Sequence, residues 1–198
     1  FDDIHIHSGD VILLEGKNGT GKTTFLRYAA GLNGGWPAGA FFRGQDVSVE
    51  APQYPDDIGF VPDSPMTAAF EGVVRRYMAF FVEKSLQNIE QTRQTFDHFL
   101  DLIQAFGISP DAFVADLSYG QQKLLSLARC ANCPALLFVD EMPISVDQQQ
   151  QQLLNAFLAV LRDRGTSIVF TTHSSHLFGS AFNRQLVISD GWLHEKTV

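Results

Sequence analysis

The 198-residue sequence predicts an α/β fold: a mainly parallel sheet with helices on both faces, a small antiparallel β subdomain and a helical insert. Three observations carry this reading. The apolar run Val11–Glu15 enters a glycine-rich loop, Gly16–Thr24, and leaves it as a helical stretch, Phe25–Ala30, that stops at Gly31. Ala135–Val139 and Thr166–Phe170 have the length and apolar content of strands buried on both faces. Between them, Gln148–Arg162 places Leu153, Leu154, Phe157, Leu158 and Leu161 at helical spacing. One domain spans 1–198, with the helical insert at about 64–130.

The remaining elements follow in order. Phe1–His7 alternates, with Ile4 and Ile6 on one face and His5 and His7 on the other, and predicts a half-buried strand before the Ser8-Gly9-Asp10 turn. Both histidines read as solvent-facing, because no acidic or cysteine partner lies near them in sequence. Ala40–Val49, broken by Gly44, predicts short antiparallel strands. Ile58–Asp63 predicts another strand, running into the loop Val61-Pro62-Asp63-Ser64-Pro65.

From Met66 to Phe106 the spacing is helical. Phe70, Val73, Val74, Tyr77, Met78 and Phe81 form one stripe, and Phe96, Phe99, Leu100, Leu102, Ile103 and Phe106 another. Such stripes form core, or present an apolar groove to a partner. Leu117–Arg129 predicts a helix opening at Ser118-Tyr119-Gly120-Gln121, and the glutamine run at 148–152 reads as a solvated face. Leu186–Ser189 pairs with Trp192 onward through the Asp190-Gly191 turn.

Composition narrows the function. With 14 Lys+Arg against 22 Asp+Glu the formal net charge is -8, the wrong sign for a broad nucleic-acid face, so no nucleic-acid partner is expected. No apolar run approaches the roughly 20 residues of a membrane-spanning helix. Cys130 and Cys133 lack a second pair to complete a zinc site and read as small buried thiols, which suits a cytoplasmic compartment. The chain opens on Phe1 with no signal segment, so it reads as trimmed at its front.

The loop Gly16-Lys17-Asn18-Gly19-Thr20-Gly21-Lys22-Thr23-Thr24 carries the chemistry. A strand–glycine loop–helix turns backbone N–H groups inward, and the helix adds the positive end of its dipole, so the concavity suits phosphate. Lys22 extends a charge to the outer phosphates, and Thr23 can place its hydroxyl on Mg²⁺. This is the P-loop signature in its required context. The expected cofactors are a nucleoside triphosphate, ATP, and Mg²⁺.

Four later stretches then fall into order, and together the chain resembles the ATP-binding cassette ATPases, the nucleotide-binding domains of ABC transporters. Leu117-Ser118-Tyr119-Gly120-Gln121 resembles the signature LSGGQ; Leu136–Glu141 resembles Walker B; Ser145-Val146-Asp147 resembles the D-loop; His173 resembles the switch histidine. The resemblance implies a P-loop NTPase core whose helical insert carries the signature. It assigns Asp140 to Mg²⁺, Glu141 to polarising the attacking water, and His173 to the γ-phosphate, with Lys22 completing the catalytic set.

The signature has no evident role within its own chain. The resemblance implies that it acts in trans, with Ser118 and Gly120 closing over ATP held by a second cassette, so that ATP binding joins the pair and hydrolysis reopens it. The implied partners are that second ABC ATPase subunit and an integral-membrane permease, with the chain peripheral on the cytoplasmic face. The expected docking socket is the helical insert, including its aromatic stripe, with the Asp63 loop.

This sequence departs from the family at several positions. Asp63 stands where glutamine is usual, as in some exporter-type cassettes; it points to export and adds a further candidate for Mg²⁺. Tyr119 replaces a glycine, and Met142-Pro143 stands where Pro-Thr is usual. The adenine-stacking aromatic falls upstream of Phe1. Two alternatives stay open: a non-transport cassette of DNA repair, chromosome organisation or translation, and a weakly hydrolysing regulatory module.

Overall fold

The computed structural model describes residues 4–34, 38–42, 45–47, 57–64, 71–83, 97, 99–127, 135–145, 147–179 and 181–196. Cys130, Cys133, Phe70, Phe96 and Val146, and the side chain of Phe81, lie outside them.

Six strands form the central sheet: β1 (Val11–Glu15), β4 (Ile58–Val61), β5 (Leu136–Val139), β6 (Ser167–Phe170), β7 (Arg184–Ser189) and β8 (Trp192–Lys196), in the order β4-β5-β6-β1-β7-β8. All neighbours run parallel except β7 and β8. That last pair turns through Asp190 and Gly191, both at positive φ (50° and 78°), the geometry a two-residue hairpin requires. β2 (Phe41–Phe42) and β3 (Gln45–Asp46) make a separate antiparallel pair. The fold class is therefore the one the sequence predicts.

Side chains alternate across the sheet and build a core on each face. On one face Val11, Leu13, Leu137, Val139, Ile168 and Phe170 pack with α2 (Val74–Glu83), α3 (residues 99–105), α4 (Tyr119–Ser126) and α5 (Gln148–Asp163), through Tyr77, Phe99, Leu124 and Phe157 among others. On the other, Ile12, Leu14, Phe138 and Val169 meet Leu26 and Ala30 of the α1 (Lys22–Ala29) region and Leu186, Ile188 and Leu193 of the β7–β8 hairpin. Burying Leu26 completely stabilises this second face by about 1.5–3 kcal/mol.

Helix α1 starts at Lys22, three residues before the apolar pattern, because Gly21 at φ 96° turns the loop directly into the helix. It ends in a Schellman arrangement. Leu32 N–H donates to Arg27 O and Gly31 N–H to Tyr28 O, with Gly31 at φ 75°.

The structure corrects several expectations. Residues 4–7 form no strand; β1, which they precede, is paired on both sides by β6 and β7. Their backbone groups find side chains instead: Arg184 Nη1 donates to His5 O, Ser167 Oγ to His7 O, and His7 N–H to Asp10. Leu153 is exposed, not inward, and Gln151 is buried, so the glutamine run is more than a solvated face. Val74, Tyr77 and Met78 are buried, Tyr77 at 3% exposure, so these members of the stripe are core; among the described side chains of α2 and the residues after α3, Phe80 and Phe113 are exposed aromatics.

Candidate active site

β1 feeds the loop Gly16–Thr24 and α1 leaves it, so the loop lies at the carboxyl end of the parallel sheet. A Cβ on Gly16 would stand 2.6 Å from Thr20 Oγ1 and 2.9 Å from the Ile188 carbonyl oxygen, a passage only glycine makes. Gly19 and Gly21 occupy the left-handed region. Lys22 folds back across the loop, its Nζ donating to Gly16 O at 2.8 Å and Lys17 O at 3.2 Å. Thr20 Oγ1 also donates to Lys17 O, at 2.9 Å. With these carbonyls occupied and the first N–H groups of α1 unpaired within the helix, the loop is a cradle for an anion; Lys17, Asn18, Thr23 and Thr24 lie exposed along it.

Thr23 in the first turn of α1 donates its hydroxyl to Asp140 Oδ1 at 3.0 Å. Asp140 follows β5 directly and is buried, its N–H donating to Val61 O at 2.8 Å. Thr171, directly after neighbouring β6, approaches the same carboxylate at 3.4 Å. Among the described residues there is no group of three or more His, Cys, Asp or Glu able to hold a metal. One hydroxyl and one carboxylate, both hard oxygen donors, nevertheless fit Mg²⁺, which keeps several waters and takes few protein carboxylates.

Glu141 has φ 63°, which is uncommon for a residue with a side chain. The surroundings hold it there. Its N–H donates to Thr171 Oγ1 at 2.7 Å, Met142 N–H donates to Thr171 O at 2.7 Å, and its own Oε1 accepts the His173 N–H at 3.0 Å. The His173 ring, mostly exposed, stands with Nε2 3.7 Å from Glu141 Oε2. Asp140 thus meets the P-loop through Thr23, and Glu141 and His173, bonded to each other, follow β5 and β6 at the same end of the sheet.

The signature stretch does have a role in its own chain. Ser118 caps α4 by accepting the Gln121 N–H, and Gln121 Oε1 accepts the Ser118 N–H in return, a reciprocal capping box. Gly120 is different. It is helical and a Cβ there would meet nothing within 4 Å, so its own chain gives no reason for a residue that costs about 0.5–1 kcal/mol relative to alanine. Tyr119 Oη donates to Asp63 O at 2.9 Å and lies 3.3 Å from Asp63 Oδ1. Burial, the Asp63 charge and hydrogen bond, and Glu141 raise its phenol above the ordinary value. The Asp63 carboxylate is turned to Tyr119 and to Lys123.

Sequence reasoning missed three supports. Lys123, with its side chain 4% exposed, donates to Pro62 O (2.6 Å), Asp63 O (2.8 Å) and Asp140 O (2.6 Å). Burial lowers its ammonium below the ordinary value against the pull of Asp63, Asp140 and Glu141. Thr171 is the second. The third is the glutamine run: Gln151 Oε1 accepts the Ser145 N–H, Gln150 Oε1 accepts the Ser145 hydroxyl, and Asp147 caps α5 by accepting the Gln150 N–H, which fixes both ends of the D-loop stretch. The Asp147-x-x-Gln150 spacing, like Ser118-x-x-Gln121, was there to be read as a helix start; Lys123 and Thr171 carry no type signature.

Residues 2–143 match the family model described as ABC transporter. The chain belongs to the ABC transporter family. It is 28% identical over 188 residues to the cytochrome c biogenesis ATP-binding export protein CcmA of Vibrio parahaemolyticus, covering 93% of this chain and 89% of that protein. It is 32% identical over 199 residues to the sulfate/thiosulfate import ATP-binding protein CysA of Mesorhizobium japonicum, covering 97% of this chain and 56% of that one. A solved ATP-binding subunit of an ABC transporter superposes with a TM-score of 0.78 at 16% identity, over 97% of this chain and 81% of the other, and supports the fold. The chain is an ABC transporter ATPase subunit, as the ordered motifs implied. No helix among the described residues is long and apolar enough to cross a membrane.

Proposed function

We propose that this ABC ATPase binds Mg²⁺-ATP on Gly16–Thr24, closes on a second cassette, and hydrolyses ATP to power export through a separate permease. The observation that carries the reading is the Thr23–Asp140 hydrogen bond, which joins the P-loop to the strand end that continues into Glu141. Lys22 neutralises the outer phosphates. Thr23 and Asp140 would hold Mg²⁺, which supplies charge neutralisation between the phosphates. Glu141, set by Thr171 and His173, accepts a proton from the attacking water, and His173 steadies the γ-phosphate. Asp63 is the weaker metal candidate, because its carboxylate already faces Tyr119 and Lys123.

Gly120, without a purpose in its own chain, supports close approach by a partner cassette. Phe80 and Phe113, exposed beside the buried insert core, are the apolar contacts a permease would cover. The site then lies on the cytoplasmic side, where ATP is. Export is favoured by the relatives named as export proteins and by Asp63; import is the second reading, favoured by the 32% identity to a sulfate/thiosulfate import protein.

Steady-state ATPase measurements test the mechanism. Glu141→Gln loses turnover and keeps ATP, whereas Lys22→Ala loses nucleotide affinity. Unchanged turnover in Glu141→Gln overturns the assignment of the base. Counterflow in vesicles carrying the co-purified permease then fixes direction: ATP added at the cassette side drives substrate away from that side for export and towards it for import.

A further inference from the structure

The peptide unit joining Asp140 to Glu141 is gripped at both ends. Its N–H donates to Thr171 Oγ1 at 2.7 Å, and its carbonyl accepts from Lys123 Nζ at 2.6 Å. Rotation of that plane is what sets φ of Glu141, and so the direction in which its carboxylate leaves the backbone. One grip comes from Thr171, directly after the neighbouring strand β6. The other comes from α4, the helix that opens with the signature residues.

Lys123 does more than fill space. An ammonium has three donors, and here three carbonyl oxygens take them, from Pro62, Asp63 and Asp140 at the ends of the paired strands β4 and β5. Tyr119, one turn earlier on α4, donates to the same Asp63 carbonyl. The signature helix is therefore fastened at two successive turns to the loop after β4, and through Lys123 to the peptide that carries the base. A guanidinium is planar and cannot direct its donors into this tripod.

We propose that Lys123 is a positioning residue for hydrolysis, which fixes the Asp140–Glu141 peptide plane and makes the orientation of the catalytic carboxylate depend on the seating of the signature helix. This rests on Glu141 as the base. Under the proposal, closure of a partner's nucleotide on Ser118 and Gly120 sets the base of the opposite site in the same motion. It also links the loop at Asp63 to that base, since the same cation binds the Asp63 carbonyl and the Asp140 carbonyl of the peptide that carries it.

The test uses the full chain with its permease, at a temperature well below unfolding. Lys123→Met keeps the stem and removes the donors; Lys123→Arg keeps the charge and breaks the tripod. Both lower kcat, the first about ten- to a hundredfold as expected for a base displaced by roughly 1 Å, with KM for ATP and affinity for Mg²⁺-ADP within about twofold of wild type. In the Glu141→Gln background Lys123→Met produces no further loss of residual turnover, because the group it orients is already gone. Leu161→Ala, a buried core truncation on α5, serves as the stability control and leaves kcat unchanged.

If Lys123→Met does not fold, Lys123→Arg carries the test alone. Wild-type kcat in either folded variant, or a further drop in the Glu141→Gln background equal to that in wild type, overturns the proposal while leaving the base assignment intact. Wild-type turnover in Glu141→Gln itself overturns both.

Discussion

Replacing Thr171 by valine tests how Glu141 is held. Thr171 is 1% exposed, and its hydroxyl accepts the Glu141 N–H at 2.7 Å and approaches Asp140 Oδ1 at 3.4 Å. Valine has the same branched outline, and the backbone bonds from Thr171 N–H to Val139 O and from Met142 N–H to Thr171 O persist, so the strand crossing survives. What is lost is one acceptor for a partly buried N–H, which costs about 1–3 kcal/mol of stability when left unmade. The left-handed conformation of Glu141, itself worth about 1–3 kcal/mol of strain, then relaxes, and the carboxylate leaves the His173 N–H. A displacement of about 1 Å at a reacting group lowers kcat by roughly a hundredfold. Urea unfolding and steady-state ATPase assays on Thr171→Val and Thr171→Ser separate the two effects. The serine variant retains the hydroxyl and recovers most turnover. Wild-type kcat in Thr171→Val refutes the claim that this bond orients the base.

Two further substitutions probe the loop and the sheet. Gly16→Ala places a methyl carbon against the Ile188 carbonyl oxygen, so the loop is displaced from β7 and ATP affinity falls at least tenfold by calorimetry, with β1 still paired. Arg184→Met removes the cation that joins Asp10 (2.5 Å) and Glu195 (2.7 Å), and destabilises the fold by about 3 kcal/mol at neutral pH, almost all through the largely buried Asp10. For Asp10, burial raises the carboxyl, and the His7 N–H with the Arg184 hydrogen bond and charge outweigh it; for Glu195 the Arg184 hydrogen bond dominates. Both end below their ordinary values. Groups lowered by folding stabilise fully above their unfolded pKa and lose that contribution as pH falls through the folded one. The gap between wild type and Arg184→Met, followed by urea unfolding, therefore narrows as pH drops below about 4.

Much of the fold was legible because its signals are local. Val11–Glu15 followed by glycines and a helix specifies a strand, a turn and a dipole without reference to the rest of the chain, and Asp140-Glu141 announces itself as a carboxylate pair ending an apolar strand. Ile4–His7 misled because alternation records which faces are apolar, not whether the backbone joins a ladder, and here its carbonyls are taken by side chains. Lys123, Thr171 and Gln151 were hidden for the opposite reason. Each acts on backbone atoms that lie far along the chain or around a turn, and a carbonyl leaves no trace in sequence. Tyr119, an evident departure, is explained by Asp63, another departure: the two are hydrogen-bonded, so they belong to one local arrangement.

The claim that most needs testing is that ATP joins two cassettes across Gly120. The direct measurement is the mass in solution of Glu141→Gln with saturating Mg²⁺-ATP, alone and combined with Gly120→Asp, which has open space around it in its own chain. If ATP joins the cassettes there, Glu141→Gln doubles in mass with ATP and the Gly120→Asp combination, folded and still binding ATP, stays monomeric. An ATP-saturated Glu141→Gln that remains a monomer, or a dimer that forms equally with Gly120→Asp, would contradict it.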